Sequence, residues 1–394
     1  MLSQQTIDII KSTVPVLEAK GTDITKHFYK RLFDHHPELL NIFNHANQAQ
    51  GRQQTALANT LYAAAQYVDQ LEVLVPAVTQ ISHKHRSLGV KKEHYPIVGH
   101  HLLASMEEVL GDSATEEIIG AWGEAYHVIS QIFIDVEDGM YQHSEGQPGG
   151  WKGFKPFTIV RKVEESALIT SFYLKPKEGM KLPAFSSGQY VTIQVKPEED
   201  KYTSNRQYSL SDASGKDYLR ISVKKEDKGK VSNYLHNHAN IGDEISLSAP
   251  AGNFVLNTDS ASPVVLLSGG VGITPLMSMF NDMAENNHTR EVTFVHACKN
   301  EQVHAFKKDA IASIEAMPNA TLKVKYEETE GLLTKEDLEG IITKDADFYI
   351  CGPMLFMKAV ISGLVELGVE EEKIHFEFFG PALSFDQVNE LTSV

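Results

Sequence analysis

The period of the side chains changes twice along this chain, and that change constrains its fold more than any other feature. Up to about residue 142, apolar residues return at spacings of three and four. Tyr95, Val98, Leu102, Met106 and Val109 form one such run, and Trp122, Tyr126, Ile129, Phe133 and Met140 form another. This is the signature of helices with one buried face. Gly21, Gly51 and Gly111 lie between periodic segments, where helix ends are expected. At Ser144 the pattern stops in the polar, Gly/Pro-rich stretch SEGQPGGWKG, a domain boundary. Beyond it come FTIVRKV, ALITSFYL, QYVTIQV, YLRISV and DEISLSA, short β-branched and aromatic runs separated by turn residues. They predict an antiparallel barrel or sandwich. From about residue 260 strands alternate with helices: VVLLSGG, EVTFVHA, LKVKYEE and DFYICGP, with the helical AFKKDAIASIEAM among them. That order predicts a parallel α/β layer. The expected chain is multidomain: an all-α domain over 1–143, an antiparallel β-barrel over 151–259, and an α/β parallel-sheet domain over 260–394.

Composition removes several classes of function. Hydrophobic residues make up 42 % and charged residues 22 %, which is globular rather than disordered or fibrous. Thirty-six basic against 52 acidic side chains give a net charge of −16. Such a surface repels phosphate backbones and anionic lipid, so neither nucleic acid nor a membrane surface is an expected partner. Two cysteines, Cys298 and Cys351, are too few for a disulfide framework and fit a reducing cytoplasm. The opening MLSQQTIDIIKS has no basic region followed by an apolar core, so no secretory signal is expected. The longest uncharged stretch, Ser260 to Asn281, contains SGGVGITP, whose Gly and Pro would break a spanning helix. The expectation is a cytoplasmic protein without stable membrane insertion.

Some polar side chains fall on the apolar faces of the helical part. His85 continues the stripe of Val78, Ile81 and Leu88, whereas His83 falls off it. Glu137 follows Phe133 by one turn, and Gln53 shares a face with Leu57, Thr60 and Ala64. Tyr29 lies among Ile24, Phe28, Leu32 and Phe33. Each has an ordinary explanation: a hydrogen-bonded core histidine, a packed tyrosine, a carboxylate capping a helix end. Together, an imidazole, a carboxylate and a phenol are what a metal-bound histidine with an orienting shell requires.

KHRSLGVKKEHYPIVGHHLLASM (84–106) resembles the proximal region of bacterial flavohaemoglobins, and FYKRLFDHHPELLNIFN (28–44) with Gln53 resembles their distal side. The resemblance extends through nearly the whole chain. It implies a globin in which His85 is the haem-iron ligand, oriented and polarised by Tyr95 and Glu137. It also implies that Tyr29 and Gln53 hydrogen-bond iron-bound dioxygen, that Phe43 packs on the haem, and that Leu57 crowds its distal face. Lys84 either touches a haem propionate or faces only solvent. A carboxylate on the proximal imidazole would raise electron donation to the iron.

In the β-rich part, Gly188-Gln189-Tyr190, Arg206-Gln207-Tyr208-Ser209 and Gly229-Lys-Val231-Ser232-Asn233 resemble the FAD-binding barrel of ferredoxin reductases, with Arg206 placed after a strand. Arg206 suits a pyrophosphate, Tyr208 and Ser209 the isoalloxazine, and Val231-Ser232 a phosphate through main-chain donors. Gly269-Gly270-Val271-Gly272-Ile273-Thr274-Pro275 follows a strand and opens a helix. Its glycines permit close approach of a pyrophosphate, with Thr274 as a capping residue and Pro275 in the first turn. Cys351-Gly352-Pro353 resembles the second nicotinamide-contacting loop, and Phe378-Phe379-Gly380-Pro381 the segment that closes over the flavin. Lys299 ends its strand without an arginine pair for a 2′-phosphate, which leans to NADH.

The resemblance implies haem b, FAD and NAD(P)H as cofactors and a nitric oxide dioxygenase that converts NO and O2 to nitrate. NO detoxification and oxygen binding are its expected roles, in a monomer. The alternatives are a haem-linked reductase of alkyl or lipid hydroperoxides, with a lipid in the distal pocket, a gas-binding or sensing globin, and a plain flavin or ferric reductase. About 250 residues of reductase argue against storage alone.

Overall fold

The structure is a computed structural model, and it describes residues 2–43, 48, 51–197, 200–286, 288–343 and 345–380. It forms two compact units. The first comprises residues 1–146 with 194–206 and Gly380, and the second comprises 147–193 and 207–379.

The main helices of the first unit are α1 (Gln4–Ser12), α2 (Val14–His35), α3 (Arg52–Gln66), α4 (Val75–Leu88), α5 (His94–Leu110) and α6 (Glu116–Gly146). Their ends follow local chemistry. The Ser3 hydroxyl accepts from the Thr6 amide at 3.1 Å to start α1. Gly89, at φ 77°, closes α4 in a conformation that glycine adopts without penalty. Gly51 and Gly111 do lie at helix ends. Gly21 does not: it is inside α2, and a Cβ there would lie 3.4 Å from the Ala58 Cβ of α3. The glycine marks a close helix crossing instead of a terminus. The last helix also outruns its expected end at residue 143 and continues through Ser144 to Gly146. Phe28, Leu32, Leu102, Met106 and Trp122 form one apolar cluster, and Val78, Tyr95 and Phe133 centre another.

After the helices comes a six-stranded sheet of β1 (Phe154–Glu164), β2 (Ile169–Pro176), β3 (Tyr190–Val195), β4 (Ser204–Ser209), β5 (Leu219–Lys224) and β6 (Glu244–Ser248). Its order is β4-β3-β6-β1-β2-β5, and the pairs β1–β2, β1–β6 and β2–β5 are antiparallel. An antiparallel bridge between Leu210, just past β4, and Ile221 of β5 joins the two outer strands. The sheet thereby closes as a barrel, which removes its edges. One short helix, α7 (Lys230–Asn237), follows β5.

The rest is a five-stranded parallel sheet of β7 (Val264–Gly269), β8 (Val292–Cys298), β9 (Ala320–Tyr326), β10 (Asp347–Cys351) and β11 (Ile374–Glu377), in the order β11-β10-β7-β8-β9. Its main helices are α8 (Ile273–Glu285), α9 (Lys307–Ala316) and α10 (Met354–Glu366). Every residue of β7 is buried. Val264 and Leu266 pack into one core with α8, while Val265 and Leu267 pack into a second with α10. A strand covered on both faces must be apolar throughout, as VVLL is. Because β7 leads to β8 on one side and pairs with β10 on the other, the strand order reverses there. Crevices at such points, beyond the carboxyl ends of the strands, take ligands in this architecture.

Candidate functional site

In the helical unit, α4, α5 and α6 bring His85, Tyr95 and Glu137 together. His85 Nδ1 lies 2.8 Å from Glu137 Oε1, and the Tyr95 hydroxyl donates to that same oxygen at 2.6 Å. Tyr95 has one hydroxyl hydrogen and spends it on Glu137, so its 3.2 Å contact with His85 Nδ1 is not a second donation. An imidazole facing a carboxylate through Nδ1 carries its proton there, and Nε2 is left with a free lone pair. Among the described residues Nε2 has no protein partner. The Glu137 side chain is only 4 % exposed. It lies well inside α6 and caps no helix end. Burial, aided by Glu137, pushes the Tyr95 phenol far up, so it stays a neutral donor.

Phe133 and Tyr126 complete this arrangement, and neither was given a role from the sequence. The Phe133 ring centroid is 5.8 Å from that of His85 and 6.3 Å from that of Tyr95. Tyr126 donates to the Tyr95 carbonyl at 2.7 Å. Its ring sits where a Cβ on Gly99 would be, 2.4 Å away. The run Tyr126, Phe133, Glu137 at helical spacing was the available signal. His83, on α4 with His85, is half-buried and is pushed down to about 4 by burial, with Arg86 adding to the effect.

A second group gathers around Tyr29 on α2. Its phenol is pushed up by burial, an effect partly offset by a hydrogen bond with Gln53. Gln53 Oε1 also accepts from Gln48 Nε2 at 2.9 Å. Phe43 meets Tyr29 edge-on at 5.8 Å, and Leu57 is half-buried against the same apolar cluster. The residues expected on the two sides of a haem therefore fall into two separate groups, each internally connected. Lys84 Nζ is not a solvated charge: it donates to the Gly380 carbonyl at 2.5 Å. In the same unit Asn41 accepts from the Thr203 amide at 2.9 Å, and its carbonyl accepts from Asn205 Nδ2 at 3.0 Å. The donor chemistry fits a haem: an imidazole with its far nitrogen anchored and its near nitrogen free, bordered by apolar side chains.

Arg206, Gln207, Tyr208 and Ser209 lie on β4 itself, not after a strand. The run SNRQYS, with alternating polar residues, reads poorly as a strand. Tyr190 opens β3, pairs through its backbone with Ala251 at 2.8 Å, and lays its ring over Gly252. Val231 and Ser232 occupy the first turn of α7, where backbone N–H groups have no intrahelical acceptor. The Ser232 hydroxyl closes the preceding turn, donating to the Gly229 carbonyl at 3.1 Å and accepting from the Glu226 amide at 3.2 Å. Phe378 is half-buried against the α10 core, and Phe379 is 44 % exposed. Gly380 ends the described chain, and Pro381 lies outside the described residues.

In the α/β part, Gly269 ends β7, Gly270 follows it, and Gly272 leads into α8. A Cβ on Gly272 would meet the Cys351 carbonyl oxygen at 2.2 Å, and one on Gly352 would lie 3.1 Å from the Gly269 Cα. The two loops expected to contact the nicotinamide dinucleotide therefore touch backbone to backbone, at the ends of the paired strands β7 and β10. Val271 and Ile273 pack into the core below. Thr274 does not cap α8, whose N-cap is Gly272. Its hydroxyl donates to the Val271 carbonyl at 3.1 Å. Cys351 is buried and its thiol is pushed up by burial, so it is no thiolate. Pro353 is the N-cap of α10. Lys299 pairs with Glu328 at 3.8 Å.

These parts define a class: a helical haem-binding domain joined to a flavin- and nicotinamide-dependent reductase. Residues 26–133 match the globin family, 156–256 the oxidoreductase FAD-binding domain, and 266–361 the oxidoreductase NAD-binding domain. The chain is 55 % identical over 402 residues to a flavohemoprotein of Bacillus cereus (strain ATCC 10987 / NRS 248), covering 98 % of this chain and 100 % of that one. It is 49 % identical to a flavohemoprotein of Bacillus subtilis (strain 168), with the same coverage. A flavohemoglobin from Malassezia yamatoensis, solved with bound FAD and heme, superimposes with a TM-score of 0.88 at 25 % identity. That match covers 96 % of this chain and 100 % of the other. The FAD/NAD-binding domain of a nitric oxide dioxygenase from Vibrio cholerae O1 biovar El Tor matches 58 % of this chain at 38 % identity, with a TM-score of 0.54. The chain belongs to the flavohaemoprotein family. It is an oxidoreductase built from a globin domain and FAD- and NAD-binding domains.

Proposed function

We propose that this protein is an NAD(P)H-dependent nitric oxide dioxygenase, which converts NO and O2 to nitrate and so removes NO. The observation that carries the reading is the His85–Glu137–Tyr95 network, with Nε2 left free, in a chain that also holds both reductase domains. Bound haem b, FAD and NAD(P)H would supply the redox chemistry, each NAD(P)H providing the electrons for two turnovers.

The rest falls to the chain's own residues. His85 Nε2 would hold the iron, and Glu137 and Tyr95 would fix the ring's orientation and raise its basicity. Tyr29 and Gln53 would present hydrogen bonds to the diatomic substrate, while Phe43 and Leu57 keep water from it. Lys84, bonded to the Gly380 carbonyl, would sit at the edge of the haem segment. Arg206 would pair with the FAD pyrophosphate. Tyr190, Gln207, Tyr208 and Ser209 would bind the flavin, Val231 and Ser232 its phosphate, and Phe378 to Pro381 would cover it. Residues 269–274 and 351–353 would take NAD(P)H at the switch point of the sheet. Beyond NO and O2 as substrates, the reading includes a cytoplasmic monomer with no nucleic-acid partner. The two free cysteines and the charge of −16 support it. No helix among the described residues is long and apolar enough to cross a membrane.

Stopped-flow absorbance tests the proposal. Anaerobic NADH should bleach the flavin and then shift the Soret band, and admission of O2 and NO should consume NO with matching formation of nitrate. Flavin bleaching without a Soret change, or NO loss without nitrate, would refute it.

A further inference from the structure

We propose that the cavity beside Tyr29 is a port for a small monovalent oxyanion, and that nitrate occupies it on leaving the distal side; the identity of the ion rests on the dioxygenase reading above. Helix α2 carries Lys26, Tyr29, Lys30 and Phe33 at spacings of three and four, which sets them on one face. With Leu40, Gln48 and Gln54 they line an open hollow of about 300 Å³. Among the described residues two lysines contribute to its lining, and no aspartate or glutamate does. In a chain of net charge −16, a cavity with only positive charges is a local reversal of sign.

Neither lysine is neutralised by an ion pair among the described residues, although Lys20, on the same helix, pairs with Asp23. Like charges four residues apart work against a helix, so the sequence carries an unfavourable pair where a ligand would relieve it. The inner wall adds no negative charge, because burial keeps the Tyr29 phenol protonated. Gln54 supplies a second polar feature. Its Oε1 is buried without a partner, while its Nε2 is held by Gln48. That oxygen lies out of solvent's reach, while at about 30 Å³ per water the hollow itself accepts a small ion with part of its hydration.

Charge separates product from substrates in the reaction. One NO, one O2 and one electron give one nitrate, so both gases enter neutral and only the product leaves charged. An apolar route suffices for the gases. The anion is the species for which two unpaired lysines beside Tyr29 make a difference.

The test uses the full-chain ferric holoprotein and isotope-labelled sodium nitrate at low ionic strength, reading the broadening of the nitrate nitrogen resonance. Lys26→Gln or Lys30→Gln should weaken binding by about fivefold each, the upper end for an exposed charge pair. The double variant should weaken it further, with Lys26→Arg/Lys30→Arg restoring it. Lys20→Gln removes the same charge from the same helix and should leave binding unchanged. Equal nitrate binding by the double variant and Lys20→Gln would overturn the proposal. So would lysine-dependent binding of laurate with none of nitrate, which would make the cavity an amphiphile's site. Lysine-dependent nitrate binding in a protein that makes no nitrate from NO would leave an anion site and refute the dioxygenase. Full nitrate production with binding indifferent to both lysines would do the reverse.

Discussion

Gly272→Ala probes why the loop between β7 and α8 is built of glycine. The φ of Gly272 is −61°, which alanine adopts freely, so any cost is steric. The added Cβ would lie 2.2 Å from the Cys351 carbonyl oxygen, 2.4 Å from its carbon and 2.6 Å from the Gly352 nitrogen. All three are backbone atoms, and no side chain can swing away to make room. Restoring ordinary contact requires the loops after β7 and β10 to part by about an ångström, a displacement typical of overpacking at about 1–3 kcal/mol. At about 2–4 °C per kcal/mol for a unit of this size, Tm should fall by roughly 2–12 °C. The KM for NADH in flavin reduction should rise with it, because both loops move. Gly270 is the internal control. It has φ +53° and nothing within 4 Å of a Cβ, so alanine there pays only the left-handed backbone cost, about 1–2 kcal/mol. Asparagine should therefore recover part of the loss at 270 and none at 272. Calorimetry and flavin-reduction kinetics read both effects. A Gly272→Ala protein with wild-type Tm and KM would refute the close apposition of the two loops.

His85→Ala should abolish the Soret band and keep the flavin, and an unchanged band would sink the ligand assignment. Tyr29→Phe removes a hydrogen bond toward developing negative charge, worth about 1.5–3 kcal/mol, so O2 should dissociate from the ferrous protein about 10- to 100-fold faster. An unaltered rate would mean that the phenol does not face the ligand. Stability should also fall in mild acid. Burial holds His83 and His101 down to about 4, against 6.5 for an ordinary histidine. Below pH 6.5 the unfolded chain takes up protons that the folded chain refuses, so stability declines as pH drops from about 6.5 to about 4. Urea unfolding at pH 7 and pH 5 checks this, and a slope unchanged by His101→Asn would remove His101 from the account.

The fold was legible wherever burial imposed a period. VVLL is apolar throughout because both faces of β7 are covered, and the stripe of α6 keeps its helical period because one face meets the other helices. Strand β4 was not legible: SNRQYS pairs by backbone hydrogen bonds to which its side chains are indifferent. Gly21 misled for the opposite reason, since a glycine needed for helix contact looks in sequence like one needed for a helix end. Resemblance assigned His85, Tyr95 and Glu137, and spacing had already marked His85 and Glu137 as misplaced on apolar faces. It could not reveal that Tyr95 and His85 share a single carboxylate oxygen, nor that Tyr126 reaches the Tyr95 carbonyl through space left by Gly99. Those depend on where three helices cross.

A carboxylate at Glu137 would sit in a setting that is electrostatically incomplete within the protein alone. Its partners are two neutral donors, and among the described residues no lysine or arginine pairs with it. Two hydrogen bonds to a charge, at about 1.5–3 kcal/mol each, offset a desolvation penalty of several kcal/mol only in part. A cation received at His85 Nε2 would draw the imidazole positive and supply the remainder. Glu137→Gln isolates that contribution, because it keeps an oxygen for the two donors and places the amide nitrogen at Oε2, to which no described donor is bonded. Haem should then be lost to a competing apoglobin about 10- to 100-fold more readily, the usual cost of removing such a support. The haem-free variant should be as stable as the haem-free parent or more so, since the charge removed had no cationic partner to lose. If instead the haem-free protein were destabilised by several kcal/mol while haem retention stayed the same, Glu137 would be an anchor tying α6 to α4 and α5, and its role at the iron would be refuted.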